Sequence, residues 1–259
     1  MGLLERLVNA TFGPPRACYP VPLVRWGEGW ETFVSLFNVG ASNCYGEYRL
    51  YDANGDLFHR SAFRIRPLET IRLNFREVMG NKAGSFEGCA VLFFTQNESI
   101  WPYVIYRKEA GLIACTHLFG LDHFRSFFGE KVRAFKNRFD DVQKWSFLFL
   151  PGISLQEVKF LTLVIQNPGD LNLHRPARTV VRLNRSDGES QESAVEIKPN
   201  ISSVFRVTDL FPDASNFLNE MAGSLIIPTP DFFLAGFHFN EGSQFTCNHM
   251  VWYRGLRKS

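Results

Sequence analysis

Residues 115–117 read Cys115-Thr116-His117, and 132 positions later the chain reads Cys247-Asn248-His249. At the same spacing, Ile65-Arg66-Pro67 corresponds to Ile197-Lys198-Pro199. Five further pairs of segments match in the same order: Leu73-Asn74-Phe75 with Phe205-Arg206-Val207, Glu109 with Glu241, Arg49-Leu50 with Arg182-Leu183, Asn54-Gly55 with Asp187-Gly188, and Asn38-Val39-Gly40 with Asn167-Pro168-Gly169. An ordered series at a nearly constant spacing indicates that the chain contains two copies of one ancestral unit.

The hydrophobic pattern within each copy is typical of β-strands. Ile71, Leu73 and Phe75 alternate with polar residues, which is the period of a half-buried strand. Asn54-Gly55 and Asp187-Gly188 favour two-residue type I′ hairpin turns. The pattern predicts an all-β chain of two tandem antiparallel β-sandwiches, jelly-roll or immunoglobulin-like, that arose by internal duplication and are joined by a short helical linker.

The domain boundaries follow from the limits of the two copies. We expect an N-terminal segment over 1–19, a first sandwich over 20–117, a linker over 118–144, a second sandwich over 145–253 and a tail over 254–259. The residues expected in the cores are Leu50, Ile65, Leu73, Phe75, Val91 and Phe93 in the first copy, and Leu183, Ile197, Phe205, Val207 and Ile226 in the second.

The predicted linker has a helical pattern. Phe128, Val132, Phe135, Phe139 and Val142 are spaced by three or four residues, so they would line one helix face. One interpretation is a basic amphipathic helix that meets a membrane surface or a partner. The interpretation we favour is a linker helix that packs this stripe across the sandwiches, because the surplus of positive charge is small.

The composition bounds the class of protein. Apolar residues make up 45% of the 259 residues and charged residues 21%, which excludes wholesale disorder. Lys and Arg exceed Asp and Glu by only two, so we do not expect a nucleic-acid-binding protein. The N-terminus lacks the apolar core of a signal peptide, no run is long enough for a membrane-spanning helix, and the five cysteines are scattered. We expect a cytoplasmic protein without a transmembrane segment.

The duplicated Cys-x-His is the motif that most resembles a set of metal ligands. Side chains at i and i+2 of a strand point the same way, so Cys115 with His117 and Cys247 with His249 could together form a Cys2His2 zinc site. Alternatively, both pairs are inherited from one ancestor, with each cysteine a small buried residue and each histidine hydrogen-bonded. We favour this second interpretation and expect no metal and no cofactor.

Four aromatic residues are candidates for ligand binding. Trp26, Trp30, Trp101 and Tyr103 could form a platform for a sugar or a peptide. Alternatively, in a chain with 15% aromatic residues, they cap the cores. No G-x-S-x-G, phosphate-loop, H-E-x-x-H or C-x-x-C motif occurs, so no catalytic residues are predicted.

The order of features in one copy resembles the small β-sandwich of the sensory-rhodopsin-transducer family. The stretches that carry the resemblance are Asn38-Val39-Gly40, Tyr48 to Tyr51, Pro67, Leu73 to Glu77, and Cys115 to His117. The Gln-His-Thr-Arg ending of that family is replaced here by Cys-Thr-His and Cys-Asn-His. The resemblance implies a non-catalytic binding or transducing module, here as a covalent double version.

These observations favour a non-catalytic binding or protein-interaction module of two duplicated sandwiches. Its partner would be a protein or a small ligand, and association into a homo-oligomer stays open. The alternatives are a metal-dependent enzyme or metalloprotein with a site between the repeats, and a structural subunit of a larger assembly that docks through the linker.

Overall fold

The computed structural model describes residues 17–79, 84–94, 100–118, 146–169, 172, 174–219, 221–229, 233–242 and 245–254, and these residues are mostly β-structure. The chain divides into two compact units, residues 1–133 and 134–259. Each unit contains two sheets, and all pairings between their strands are antiparallel. The predicted fold class, all-β with two antiparallel sandwiches, is confirmed.

The first unit has eight described strands in two four-stranded sheets, ordered β1-β6-β3-β4 and β5-β2-β7-β8. A short helix α1, Phe75–Met79, follows β5, and a 3₁₀ turn, Glu109–Gly111, joins β7 to β8. The strands are β1 Ala17–Trp26, β2 Glu31–Asn38, β3 Cys44–Asp52, β4 Leu57–Ile65, β5 Thr70–Asn74, β6 Phe86–Phe94, β7 Ile100–Lys108 and β8 Leu112–His117.

The second unit has nine described strands and repeats this order. Its sheets are β12-β11-β14-β9-β17 and β13-β10-β15-β16. The strands are β9 Ser146–Ile153, β10 Leu161–Gln166, β11 Ala177–Arg185, β12 Ser190–Ile197, β13 Ser202–Arg206, β14 Gly223–Pro228, β15 Ala235–Glu241, β16 Phe245–His249 and β17 Val251–Arg254. The helices are α2 Leu155–Val158, α3 Val207–Leu210 and α4 Ala214–Leu218.

Strand order and register make β1–β8 equivalent to β9–β16. Leu50 pairs with His59 in the first unit, and Leu183 pairs with Gln191 in the second. Both leucines are fully buried. This one-to-one correspondence, at the spacing found in the sequence, supports the duplication.

The two units differ at one sheet edge. In the second unit β17 pairs with β9 and extends that sheet by a fifth strand. In the first unit, within the described residues, β1 pairs with β6 alone and forms the edge. β1 contains Pro20 and Pro22, and its register with β6 shifts between Val21 and Val24. Prolines are tolerated at sheet edges because they have no N–H group to donate to a neighbouring strand.

A buried asparagine at the end of β2 holds the connection between β4 and β5. The Asn38 amide nitrogen donates to the carbonyl oxygens of Ser42 at 2.8 Å and Arg66 at 3.1 Å, and the side chain is fully buried. The Leu68 N–H donates to the Asn38 carbonyl at 2.8 Å from a left-handed backbone with φ of 58°. The Asn-x-Gly motif and the Ile-x-Pro motif, both of which recur in the sequence, are therefore in contact in the folded unit.

The second unit contains the same arrangement. The Asn167 amide nitrogen donates to the Arg175 carbonyl at 2.9 Å, and the Asn200 N–H donates to the Asn167 carbonyl at 2.8 Å. Asn200 also has a left-handed backbone, with φ of 59°, and lies 132 positions after Leu68. Asparagine adopts this conformation more readily than leucine, so the second unit is the less strained at this position.

The hairpin turns occur where predicted but are of another type. Gly55 and Gly188 have φ of 85° and 96°, whereas Asn54 and Asp187 are not in the left-handed region. The Gly55 N–H donates to the Asp52 carbonyl at 3.0 Å. A three-residue loop that ends in a left-handed glycine therefore replaces the predicted type I′ turn.

Most of the predicted core is confirmed. Nine of the eleven residues are buried, whereas Phe205 and Ile226 are only half-buried. Phe205 lies on the edge strand β13 and packs against the core from there. The prediction of which β14 residues face the core is wrong, because Leu225 and Ile227, on either side of Ile226, lie in the core cluster.

Three predicted segments fall largely outside the described residues. These are the linker over 118–144, of which Leu118 alone is described, most of the N-terminal segment over 1–19, and the tail over 254–259, of which Arg254 alone is described. No helix within the described ranges is both long and apolar enough to cross a membrane.

Candidate binding surface

Two exposed aromatic rings lie on the outer face of the sheet formed by β5, β2, β7 and β8. Buried and exposed positions alternate along most of β7, because one side of this strand faces the core. Trp101 is 57% exposed and Tyr103 is 41% exposed. Residues two apart on a strand point to the same side, so the two rings are neighbours on this face.

A row of polar side chains crosses the same face. Arg72 of β5 pairs with Ser35 of β2, Ser35 pairs with Tyr103, and Tyr103 pairs with His117 of β8. The His117 ring meets the Tyr103 ring edge-on, with 6.5 Å between centroids. Since adjacent strands are spaced by about 4.8 Å, the main chains of Arg72 and Tyr103 are separated by about 10 Å.

Apolar side chains flank this polar row. Phe37 pairs with Trp101, and Ile105 pairs with Cys115. Ile113, two residues before Cys115 on β8, is 61% exposed. We call this surface the aromatic face and define it by Phe37, Arg72, Trp101, Tyr103, Ile105, Ile113, Cys115 and His117.

The charges beside the aromatic face are arranged around Phe33. The guanidinium groups of Arg72 and Arg107 lie over the Phe33 ring, 3.8 Å and 5.5 Å from its centroid. Arg107 forms an ion pair with Glu31, and Arg76 lies 3.8 Å from the same carboxylate. Arg72 forms no ion pair with any described residue, so its charge is uncompensated there.

The second unit does not repeat this surface. Register places Ala235 and Phe237 at the positions equivalent to Trp101 and Tyr103, and Phe237 is 3% exposed. Val204 occupies the position equivalent to Arg72. Because the two copies share a fold but differ here, the aromatic face is a property of the first copy and not of the fold.

The other two predicted binding residues belong to the core. Trp26 is 2% exposed and stacks on Phe86, with 4.2 Å between the ring centroids and 9° between the planes. Trp30 is also buried, and the Lys108 ammonium lies 5.0 Å from its ring. Lys108 and Trp101 are at opposite ends of β7, separated by about 20 Å of strand. Of the four residues predicted to form a platform, Trp101 and Tyr103 face solvent together, whereas Trp26 and Trp30 are buried.

The two Cys-x-His motifs occupy equivalent positions on β8 and β16, the last strand of each equivalent sheet. Cys247 is buried, as predicted, but Cys115 is exposed, because Ala114 and Thr116 take the inner positions of β8. Across the described ranges, no three His, Cys, Asp or Glu side chains are grouped so that they could hold a metal ion.

A buried polar pair in the first unit has no counterpart in the second. The Tyr48 hydroxyl and the His59 Nε2 atom are buried, and the two rings are 5.7 Å apart. Burial raises the pKa of the Tyr48 phenol. The equivalent residues are Val181 and Gln191. Comparing the two copies position by position would have revealed this difference from the sequence.

A half-buried histidine distinguishes the second unit. Burial lowers the pKa of His238 to about 4, with a further lowering by His249 and an opposing effect of the Glu157 carboxylate. The equivalent residue of the first unit is Val104, which is fully buried. His238 is therefore a neutral imidazole at neutral pH.

Comparisons with known proteins add little to this description. No family model and no curated protein matches the chain, and the resemblance to the sensory-rhodopsin-transducer family stays a prediction. Among solved structures, the partial N-terminal region of an enterococcal surface protein is similar at 10% identity, over 87% of this chain and 85% of that chain, with a TM-score of 0.24. That score is too low to inform fold or function, so the assignment as two antiparallel sandwiches rests on the strand register.

Proposed function

We propose that the chain is a non-catalytic protein-interaction module and that its binding surface is the aromatic face of the first sandwich. The observation that carries the proposal is the exposure of Trp101 and Tyr103, side by side, on a sheet face whose equivalent in the second copy has Ala235 and the buried Phe237 at these positions.

The composition of the face supports a protein partner. Trp, Tyr and Arg are the residue types that contribute most often to binding hot spots. The aromatic face combines Trp101 and Tyr103 with Arg72, and Ile113 adds a large exposed aliphatic side chain. Adjacent exposed apolar groups of this kind are typical of surfaces that become covered by another protein.

A displayed library of short random peptides, selected against the full chain, tests the proposal. We expect selected peptides to bind wild-type protein and to lose at least about tenfold in affinity with Trp101→Ala or Tyr103→Ala, because each truncation removes a contact surface. Binding is measured by titration with the synthesised peptides.

The matched control is Phe160→Ala. Phe160 is 50% exposed, comparable to Trp101, but lies in the second unit. Its truncation should leave peptide affinity unchanged. Binders that are insensitive to both aromatic substitutions, or that are weakened equally by Phe160→Ala, would contradict the proposal.

A further inference from the structure

We propose that the partner is an acidic segment: a carboxylate binds Arg72 while a bulky apolar side chain packs against Trp101 and Tyr103. The inference rests on the proposed function and specifies the chemistry of the partner.

The Arg72 side chain is held in place on the face before any partner binds. Its guanidinium stacks on the Phe33 ring at 3.8 Å, and the second guanidinium over that ring belongs to Arg107. A planar guanidinium that is already oriented can bind a carboxylate through two parallel hydrogen bonds, with less loss of side-chain entropy than a free arginine.

The charges around Arg72 select an anion. Glu31, the acidic residue nearest to these arginines on β2, is already engaged by Arg107 and Arg76. Arg72 therefore keeps a positive charge that no described carboxylate neutralises. An acidic residue of a partner would complement it, whereas a basic residue would be repelled.

The spacing across the sheet sets the spacing within the partner. Arg72 and Tyr103 are two strands apart, which corresponds to about 10 Å. Three residues of a polyproline II segment cover about the same distance, and this conformation returns a side chain to the same side at every third residue. A segment that crosses the strands would thus present Asp or Glu three residues from its apolar anchor.

A single-stranded nucleic acid fits the face less well. Such ligands carry one negative charge per nucleotide and are bound along grooves with repeated basic residues. Here the aromatic rings are accompanied by one uncompensated arginine among the described residues of the face, and the net charge of the whole chain is only +2.

The test is a double-mutant cycle between Arg72 and the acidic residue of a peptide from the displayed library. We expect that Arg72→Gln, and the Glu→Gln change in the peptide, each reduce affinity about tenfold, and that the two changes together cost little more than either alone. Val204→Ala, at the equivalent position of the second unit, is the matched control and should have no effect. Circular dichroism and melting curves check that Arg72→Gln leaves the fold intact.

The outcomes separate the two proposals. Peptides that depend on Trp101 but lack an acidic residue, or show additive losses in the cycle, overturn the acidic-segment inference and leave the interaction module standing. Peptides that do not depend on Trp101 overturn both. A single-stranded oligonucleotide or a uronic-acid oligosaccharide that binds more tightly than the peptides, with the same dependence on Trp101 and Arg72, also overturns the inference.

Discussion

The Asn38 side-chain nitrogen donates a hydrogen bond to the Ile65 carbonyl oxygen at 3.2 Å, and the Asn167 nitrogen donates to the Ile197 carbonyl at 2.9 Å. Both asparagines are fully buried. Each bond joins the end of one sheet to the end of the other within its sandwich. Loss of the amide would leave buried carbonyl groups without a donor, which is more costly than loss of an exposed hydrogen bond.

Asn38→Ala and Asn167→Ala should therefore each lower the free energy of unfolding by about 2–4 kcal/mol, since one buried carbonyl and at least one part-buried carbonyl lose their donor in each case. Urea denaturation followed by circular dichroism measures the effect. The control is Asn54→Ala in an exposed turn, which we expect to change stability by less than about 0.5 kcal/mol. Equal effects at buried and exposed asparagines would contradict the structural role.

Trp26→Ala should destabilise the protein by about 3–5 kcal/mol because it removes a fully enclosed ring that stacks on Phe86. Trp101→Ala should cost less than about 0.5 kcal/mol, since its ring is more than half exposed. Thermal or urea unfolding of the two variants checks the contrast. A large loss of stability for Trp101→Ala would mean that this ring is part of the folded core and not of a binding surface.

Stability should depend on pH through His238. Its pKa is about 4 in the folded protein and near 6.5 when unfolded, so between these values the unfolded chain binds more protons. The stabilisation is fully present above pH 6.5 and is lost as the pH falls towards 4, by up to about 3 kcal/mol.

The variant that isolates this contribution is His238→Gln, whose side chain stays neutral throughout. The free energy of unfolding, measured by urea denaturation between pH 4 and 7.5, should fall less steeply for the variant than for the wild type. Parallel pH profiles would show that His238 titrates normally in the folded protein.

One thiol should react in the native protein. Of the five cysteines, Cys115 is exposed and the others are buried. A thiol-specific reagent such as Ellman's reagent should therefore modify about one cysteine under native conditions and all of them in denaturant. Cys115→Ser should abolish the native reaction. Because Cys115 belongs to the aromatic face, a peptide bound there should slow the reaction, and rapid modification of several thiols would contradict the burial pattern.

The sequence predicted more of the fold than of the surface. The alternation around Leu73 and Phe75 and the repeated motifs predicted two antiparallel sandwiches, because burial of one sheet face imposes a period of two. Exposure is harder to predict. Trp26 and Trp101 are the same residue type, yet the first is stacked in a core and the second faces solvent. The difference depends on cross-strand register, which a single sequence does not reveal.

The fifth strand of the second unit has a consequence for self-association. Without β17 the main-chain groups of β9 on that side would be unpaired, and an unpaired strand edge is a template for pairing with another chain. The first unit protects the equivalent strand by other means, through Pro20, Pro22 and a shift in register. A chain truncated after Met250 should therefore aggregate through pairing of the β9 edge, and light scattering measures this aggregation. A substitution of Pro20 should promote the same pairing at the β1 edge of the first unit. The two units thus differ at the same edge, which carries an added strand in the second unit and two prolines with a register shift in the first.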